Sequence, residues 1–252
     1  MFDLRLIRAD ALKLRRRRGM LALCGVLTTG VVALIFIARL IQQASDPFDL
    51  PVGGAMAYHE TMFILTLMVF VAGAIIGATA GTQDLESGVF RDLAATGRSR
   101  LALFGARIPG ALAVVLPIAA IAAAVVAVAS LALASGTIAP DPAMIFPATA
   151  AVLTAGGLST IVAVGLAALT GSRPATITSM LAFMLALAPL LAGSKFLGDA
   201  RQAIPTEAVF RIGHLDSGGY TYVGLVTAIT VVLAWAAAAF AAGAWRTRSR
   251  EI

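Results

Sequence analysis

Six stretches of the chain are apolar from end to end instead of alternating: Gly19–Ala38, Thr61–Thr82, Ile108–Ser135, Met144–Thr170, Ala175–Ser194 and Tyr220–Trp245. Each matches or exceeds the roughly 20 residues a helix needs to cross the hydrocarbon core of a bilayer, and none contains a charged residue. Lipid offers no partner to a backbone amide or carbonyl, so such runs close on their own hydrogen bonds as α-helices. Their length and lack of period-two alternation exclude a barrel. The pattern predicts an all-α integral membrane protein of six transmembrane helices. Pro117 and Pro189 each remove a helix hydrogen-bond donor and predict bends in the third and fifth spans. Gly73, Gly77 and Gly81 recur every four residues on one face of the second span, where another backbone can approach closely. The neighbour is a helix of the same chain, a seam between copies, or a contact that moves.

Ahead of the first run, Leu4, Ile7, Ala11 and Leu14 form an apolar stripe at helical spacing, with Arg5, Arg8 and Lys13 away from it. Leu6 and Leu12 lie off the stripe. Residues 1–18 therefore read as a basic amphipathic interfacial helix whose cations sit among anionic lipid head groups, or as a positive topogenic tail without fixed structure. This basic stretch is longer than the n-region of a signal peptide, the run after it exceeds a signal core, and no small-residue cleavage site follows. The expectation is a retained first span and a single six-span domain over residues 19–252.

Composition sharpens this picture. Hydrophobic residues make up 60% and charged residues 13%, against about 25% charged in soluble domains, and the mean hydropathy is +0.93. The net charge of +6 comes from basic residues flanking the apolar runs, which fits topology and anionic lipid and gives no soluble basic face for nucleic acid. Positive flanks stay in the cytoplasm. With both termini cytoplasmic, only Arg39, Lys195, Arg201 and Arg211 of the 19 Lys and Arg residues fall outside. The expected location is the inner (cytoplasmic) membrane of a cell, and the abundance of Ala, Gly and Arg suggests a GC-rich bacterial genome. Cys24 is the only cysteine and lies within the first run, so neither a disulfide framework nor a cysteine metal site is available.

The stretch Gln83 to Arg107 is more than a connector. Ser87 can cap a short helix from about Gly88 to Ala95, Gly97 can end it, and Ser99 can cap the next helix. Val89, Phe90 and Leu93 would give that helix an apolar face, and Asp84, Glu86, Arg91 and Asp92 supply charges beside it. Reversing direction needs only a few polar residues, so an exposed Phe and Leu point to a docking partner. The series Glu86-x-Gly88-Val89-Phe90-Arg91-x-Leu93-x-x-Thr96, then Arg98-Ser99-Arg100 and Ala106-Arg107, together with the basic N-terminal helix and six spans, resembles the ABC transporter permeases of the type 2 exporter class. The resemblance implies that segment 83–100 is a short cytoplasmic coupling helix seated in a cleft of a separate ATPase subunit, with Glu86, Val89, Phe90, Arg91 and Leu93 as contacts and the N-terminal helix beside it. It implies that the ATPase partner binds ATP and Mg, and that a second permease copy or paralogue completes the path. It also implies that the external loop 195–219, where Ile204 to Gly213 reads as a short helix, helps close the outer mouth; an ordinary surface loop is the other reading.

The chain itself lacks an ATP site. A phosphate loop ends in Gly-Lys-Ser/Thr, but Lys13 precedes Leu14 and Lys195 precedes Phe196. Ion-coupled carriers place ionisable groups within the membrane, and these spans have none, although carbonyls and hydroxyls can bind sodium. No charged pore ring or filter motif suggests a channel. An intramembrane enzyme would need a serine with histidine, paired carboxylates or a metal, and His59 and His214 lie at or beyond the outer boundary. The leading expectation is the membrane subunit of an exporter for an amphipathic or lipid-like cargo, with an ion-coupled carrier and an intramembrane enzyme as alternatives.

Overall fold

The computed structural model describes residues 4–46, 51–86, 99–215 and 223–249, with the side chains of residues 84–86 and 195 excepted. Within them the chain is helical, with no strand. The elements are α1 (Leu4–Arg16), α2 (Arg18–Ser45), α3 (Gly54–Glu86), α4 (Arg100–Ala132), α5 (Pro142–Thr170), α6 (Arg173–Gly193), α7 (Pro205–Ile212) and α8 (Leu225–Ser249). A stretch of tight helical turns, Lys195–Ala203, broken at Gly198, joins α6 to α7. Six of these helices, α2 to α6 and α8, are long and apolar enough to cross a membrane.

Local chemistry explains where the helices start. The Ser99 hydroxyl accepts from the Ala102 amide at 3.2 Å, the cap its spacing predicts. Asp141 Oδ1 accepts from the Met144 amide at 2.8 Å with Pro142 in the first turn, where a missing donor costs nothing. Gly171, at φ 68°, ends α5 in the left-handed conformation that glycine adopts without strain, and Ser172 begins α6. α1 and α2 meet at a single non-helical residue, Arg17.

The helices outrun the apolar stretches at several ends. α2 continues past Ala38 through Arg39 to Ser45, and α3 begins at Gly54, ahead of Glu60. α4 starts at Arg100, eight residues before Ile108, so Arg107 is a helix residue and not part of a connection. Hydropathy marks where hydrocarbon lies, while helical hydrogen bonding continues into the polar flanks. Charged residues therefore do lie within these helices, and two cross-helix ties involve them. Arg39 Nη2 pairs with Glu60 Oε2 at 2.7 Å, and Arg107 Nη1 donates to the Gly81 carbonyl at 3.0 Å.

The centre of the bundle is α3 against α5. In their most apolar windows 72% and 61% of residues are buried, against 22% in α6 and 6% in α8, so the last two helices are peripheral. One core cluster joins Tyr58, Met62, Leu65 and Val69 of α3 to Ala151, Val152 and Ala155 of α5 and Val126 of α4. A second unites Leu14 of α1, Cys24 of α2, Ile76 of α3 and Phe104 of α4. Buried threonines return their protons to their own helix, Thr66 to Met62 at 2.7 Å and Thr79 to Ile75 at 2.7 Å. Each of these two hydroxyls thereby finds an acceptor inside the bundle without water.

Candidate functional site

The α3–α5 seam is built on the three glycines. Gly73 lies against Gly156, Ser159 and Thr160, and Gly81 against Ala167 and Val164. A methyl group placed on Gly77 would stand 2.5 Å from the Thr160 carbonyl oxygen and 2.7 Å from the Ala163 Cβ. The two backbones are close enough for the Thr160 hydroxyl to donate to the Gly73 carbonyl at 3.3 Å. All three glycines thus face α5 of the same chain.

At one end of the bundle α1, the start of α4 and the C-terminal part of α8 converge. α1 crosses α4 at Gly110, where a Cβ would lie 2.9 Å from that of Asp10. Leu14 is buried there, and Arg5 and Arg8 face outward. Lys13 departs from the expected polar face. It is half-buried and reaches back to Asp10 at 3.4 Å, because the crossing at Gly110 turns the 10, 13, 14 side of the helix inward. Phe104 touches Gly243 of α8 and lies tilted against Phe240 at 5.7 Å between ring centres. Arg107 lies beneath, 4% exposed, bonded to the last turns of α3 through Gly81. The guanidinium fastens the two helices whose connection is the 83–100 segment. Sequence reasoning counted Arg107 among the basic residues around the second loop and missed this role; its spacing from Arg100, nearly two helical turns along the helix that Ser99 caps, was the available signal.

Of the residues expected to contact an ATPase, Glu86 is the last residue of α3. Val89, Phe90, Arg91 and Leu93, with the short helix expected from about Gly88 to Ala95, lie outside the described residues.

At the opposite end α7 does not rest on the surface. Ala208, Val209 and Phe210 are buried, and Phe210 stacks on Phe63 of α3 at 4.6 Å. His59 Nε2 donates to the His214 carbonyl at 3.1 Å, and Arg211 Nε donates to the Val223 carbonyl at 2.6 Å. The short helix is wedged among α3, α5 and α8. Both histidines serve this contact, His214 through its backbone.

Beneath α7 lies a cavity of about 270 Å³. Its floor is α5 (Leu158, Val162, Leu166), its sides are α6 (Met180, Phe183) and α8 (Trp235, Ala239), and Pro205 and Thr206 close the end nearest α7. The two serines at its edge are spent on their own helices, Ser159 to the Gly156 carbonyl at 3.2 Å and Ser179 to the Ala175 carbonyl at 2.7 Å. Almost all of its wall is therefore hydrocarbon, suited to an apolar group and not to an ion. Among the described residues no group of three or more histidine, cysteine or acidic side chains comes together to hold a metal.

Fold and site together define a multi-pass helical membrane protein. No protein-family model matches the chain, and no curated protein matches it.

Proposed function

We propose that this chain is the membrane-spanning permease subunit of an ATP-driven exporter of the type 2 class, working with a separate ATPase subunit and a second permease copy or paralogue in the inner membrane of a cell. The observation that supports the reading best is the pair of stalks at the basic end. α4 extends about 12 Å and α3 about 6 Å beyond their apolar runs at 1.5 Å per residue, and Arg107 ties one to the other. These two described ends lead into and out of the 83–100 segment, and α1 packs across α4 at Gly110. In this reading a push on the ends of α3 and α4 is carried through the glycine seam into α5.

In this reading Glu86, Val89, Phe90, Arg91 and Leu93 meet the ATPase, which binds ATP and Mg. Arg5 and Arg8, exposed on α1, sit among cytoplasmic head groups. The apolar cavity and uncharged helix centres suit an amphipathic or lipid-like cargo.

The test is purification from native membranes in mild detergent, with mass spectrometry of stoichiometric partners, for wild type and Phe90→Asp. A soluble subunit with a Gly-Lys-Ser/Thr loop that accompanies the wild type and is lost from a correctly inserted variant supports the proposal. Repeated recovery without an ATPase rejects it and moves the reading to an ion-coupled carrier or an intramembrane enzyme.

A further inference from the structure

We infer that the cavity beneath α7 is a binding site for one hydrocarbon chain of a bilayer phospholipid, entered sideways through the cleft between α6 and α8. Three observations carry this. First, α6 and α8 both pack on α5 but make no extended contact with each other. The rings of Phe183 and Trp235, 5.6 Å apart, reach across the gap, so the cavity has a side door at a depth where both helices cross the membrane. Second, the wall is hydrocarbon and its serines are already satisfied; an ion or a polar solute entering here would exchange its water for nothing. Third, the volume selects the guest. A dry cavity of ~150 Å³ holds benzene and drug-sized ligands occupy roughly 300–1,000 Å³, so about 270 Å³ admits a length of single chain but not a whole amphiphile. The rest of the molecule stays outside, which a lateral opening permits and a closed pocket would not.

The door has a latch. Trp235 is held by its indole, which donates to the Ala203 carbonyl at 2.9 Å, and this fixes the ring over the cleft from the segment that leads into α7. The solvent on the far side of Phe183 and Trp235 is the bilayer itself, since the outward residues of α6 and α8, Leu190 and Leu233, are 72% and 63% exposed. The inference rests on the six membrane-crossing helices and not on the energy source, so it stands or falls separately from the exporter proposal.

The full chain is reconstituted in bilayers containing phosphatidylcholine with a photoactivatable diazirine in mid-chain, irradiated, and digested for mass spectrometry. We expect adducts on the α5 floor at Val162 and Leu166 in addition to the outward Leu190 and Leu233. Filling the cavity with Val162→Phe and Leu166→Phe abolishes adducts on the α5 peptide and leaves those at Leu190 and Leu233 unchanged. Labelling of wild type at Leu190 and Leu233 alone overturns the inference, and this arm needs no variant to fold. It is equally overturned if the filled variant, correctly folded by size-exclusion chromatography, is labelled on α5 as strongly as wild type. Floor labelling by a diazirine-bearing alkane without a head group, but not by the phospholipid, would assign the cavity to small apolar molecules instead.

Discussion

Two alanine substitutions on neighbouring helices should act in opposite directions. In Gly77→Ala the new methyl stands 2.5 Å from the Thr160 carbonyl oxygen and 2.7 Å from the Ala163 Cβ. Both neighbours belong to α5, and one is backbone, so α3 and α5 must separate. Overpacking of this kind costs about 1–3 kcal/mol, while replacing a mid-helix glycine by alanine returns about 0.5–1 kcal/mol. The net expectation is a loss of about 1–2 kcal/mol. In Gly157→Ala the methyl meets only Leu112 Cδ2, at 3.8 Å, an ordinary contact, so the helix term acts alone and stability rises by about 0.5–1 kcal/mol. The two variants should differ by roughly 2 kcal/mol, on the order of thirtyfold in the folded-to-unfolded ratio. Detergent-solubilised protein unfolded by heat or by SDS, followed by circular dichroism, reads the difference. If Gly77→Ala is as stable as wild type, or Gly157→Ala is the weaker of the two, the intrachain seam is wrong. A Gly77→Ala protein that loses only oligomeric mass would place these glycines between copies instead.

Arg107→Met should lower stability by about 1.5–3 kcal/mol, the range for a hydrogen bond to a charged group, because the Gly81 carbonyl loses a donor inside the bundle; thermal unfolding indistinguishable from wild type would show that the bond holds nothing. Arg39→Glu and Glu60→Arg should each destabilise the α2–α3 pairing by up to about 1 kcal/mol, and the double exchange should recover most of that loss, since the pair links α2 to α3 at 2.7 Å; additive losses in the double variant would refute the coupling. For the orientation with both termini in the cytoplasm, an impermeant maleimide on intact cells should label Ile138→Cys, which is 83% exposed, and spare Ser249→Cys until the cells are opened. Native Cys24 is fully buried and should stay unlabelled in both; the reverse pattern would invert the topology.

The six spans were legible because each is apolar along its whole length, a signal that tertiary context cannot override when the solvent is lipid. The helix ends were not. Arg39, Glu60 and Arg107 read as flank residues by hydropathy, yet each is helical, because its charge meets a partner on the adjacent helix across tens of residues of sequence. The burial of α7 was also hidden. Eight residues with proline at the start identify a short helix, but whether Phe210 lies on lipid or on Phe63 depends on where α3 stands. The cavity has no sequence signature, since Val162, Leu166 and Met180 look like any lipid-facing residues until α6 and α8 are seen to stand apart. The glycine repeat was visible as a close approach, and the identity of the partner helix came only with the fold.

Two of the spanning helices, α2 and α6, each contain one wide turn of π geometry, at Val26–Gly30 and Phe183–Leu187. A π turn carries one surplus residue. If it relaxes to ordinary helix, everything on one side of it must revolve by about 100° about the axis, the angle between successive residues at 3.6 per turn. In α6 the surplus residue lies beside Phe183, between Met180 and Met184 on the cavity wall and Ala188 and Ala192 packed under Ile204. A quarter-revolution there would exchange which side chains face the cavity while α6 kept its length and both its ends nearly in place. Selectivity of this wall is therefore a property of helical phase as much as of residue identity, and one inserted or deleted residue within 183–187 would reset it without disturbing the rest of the bundle.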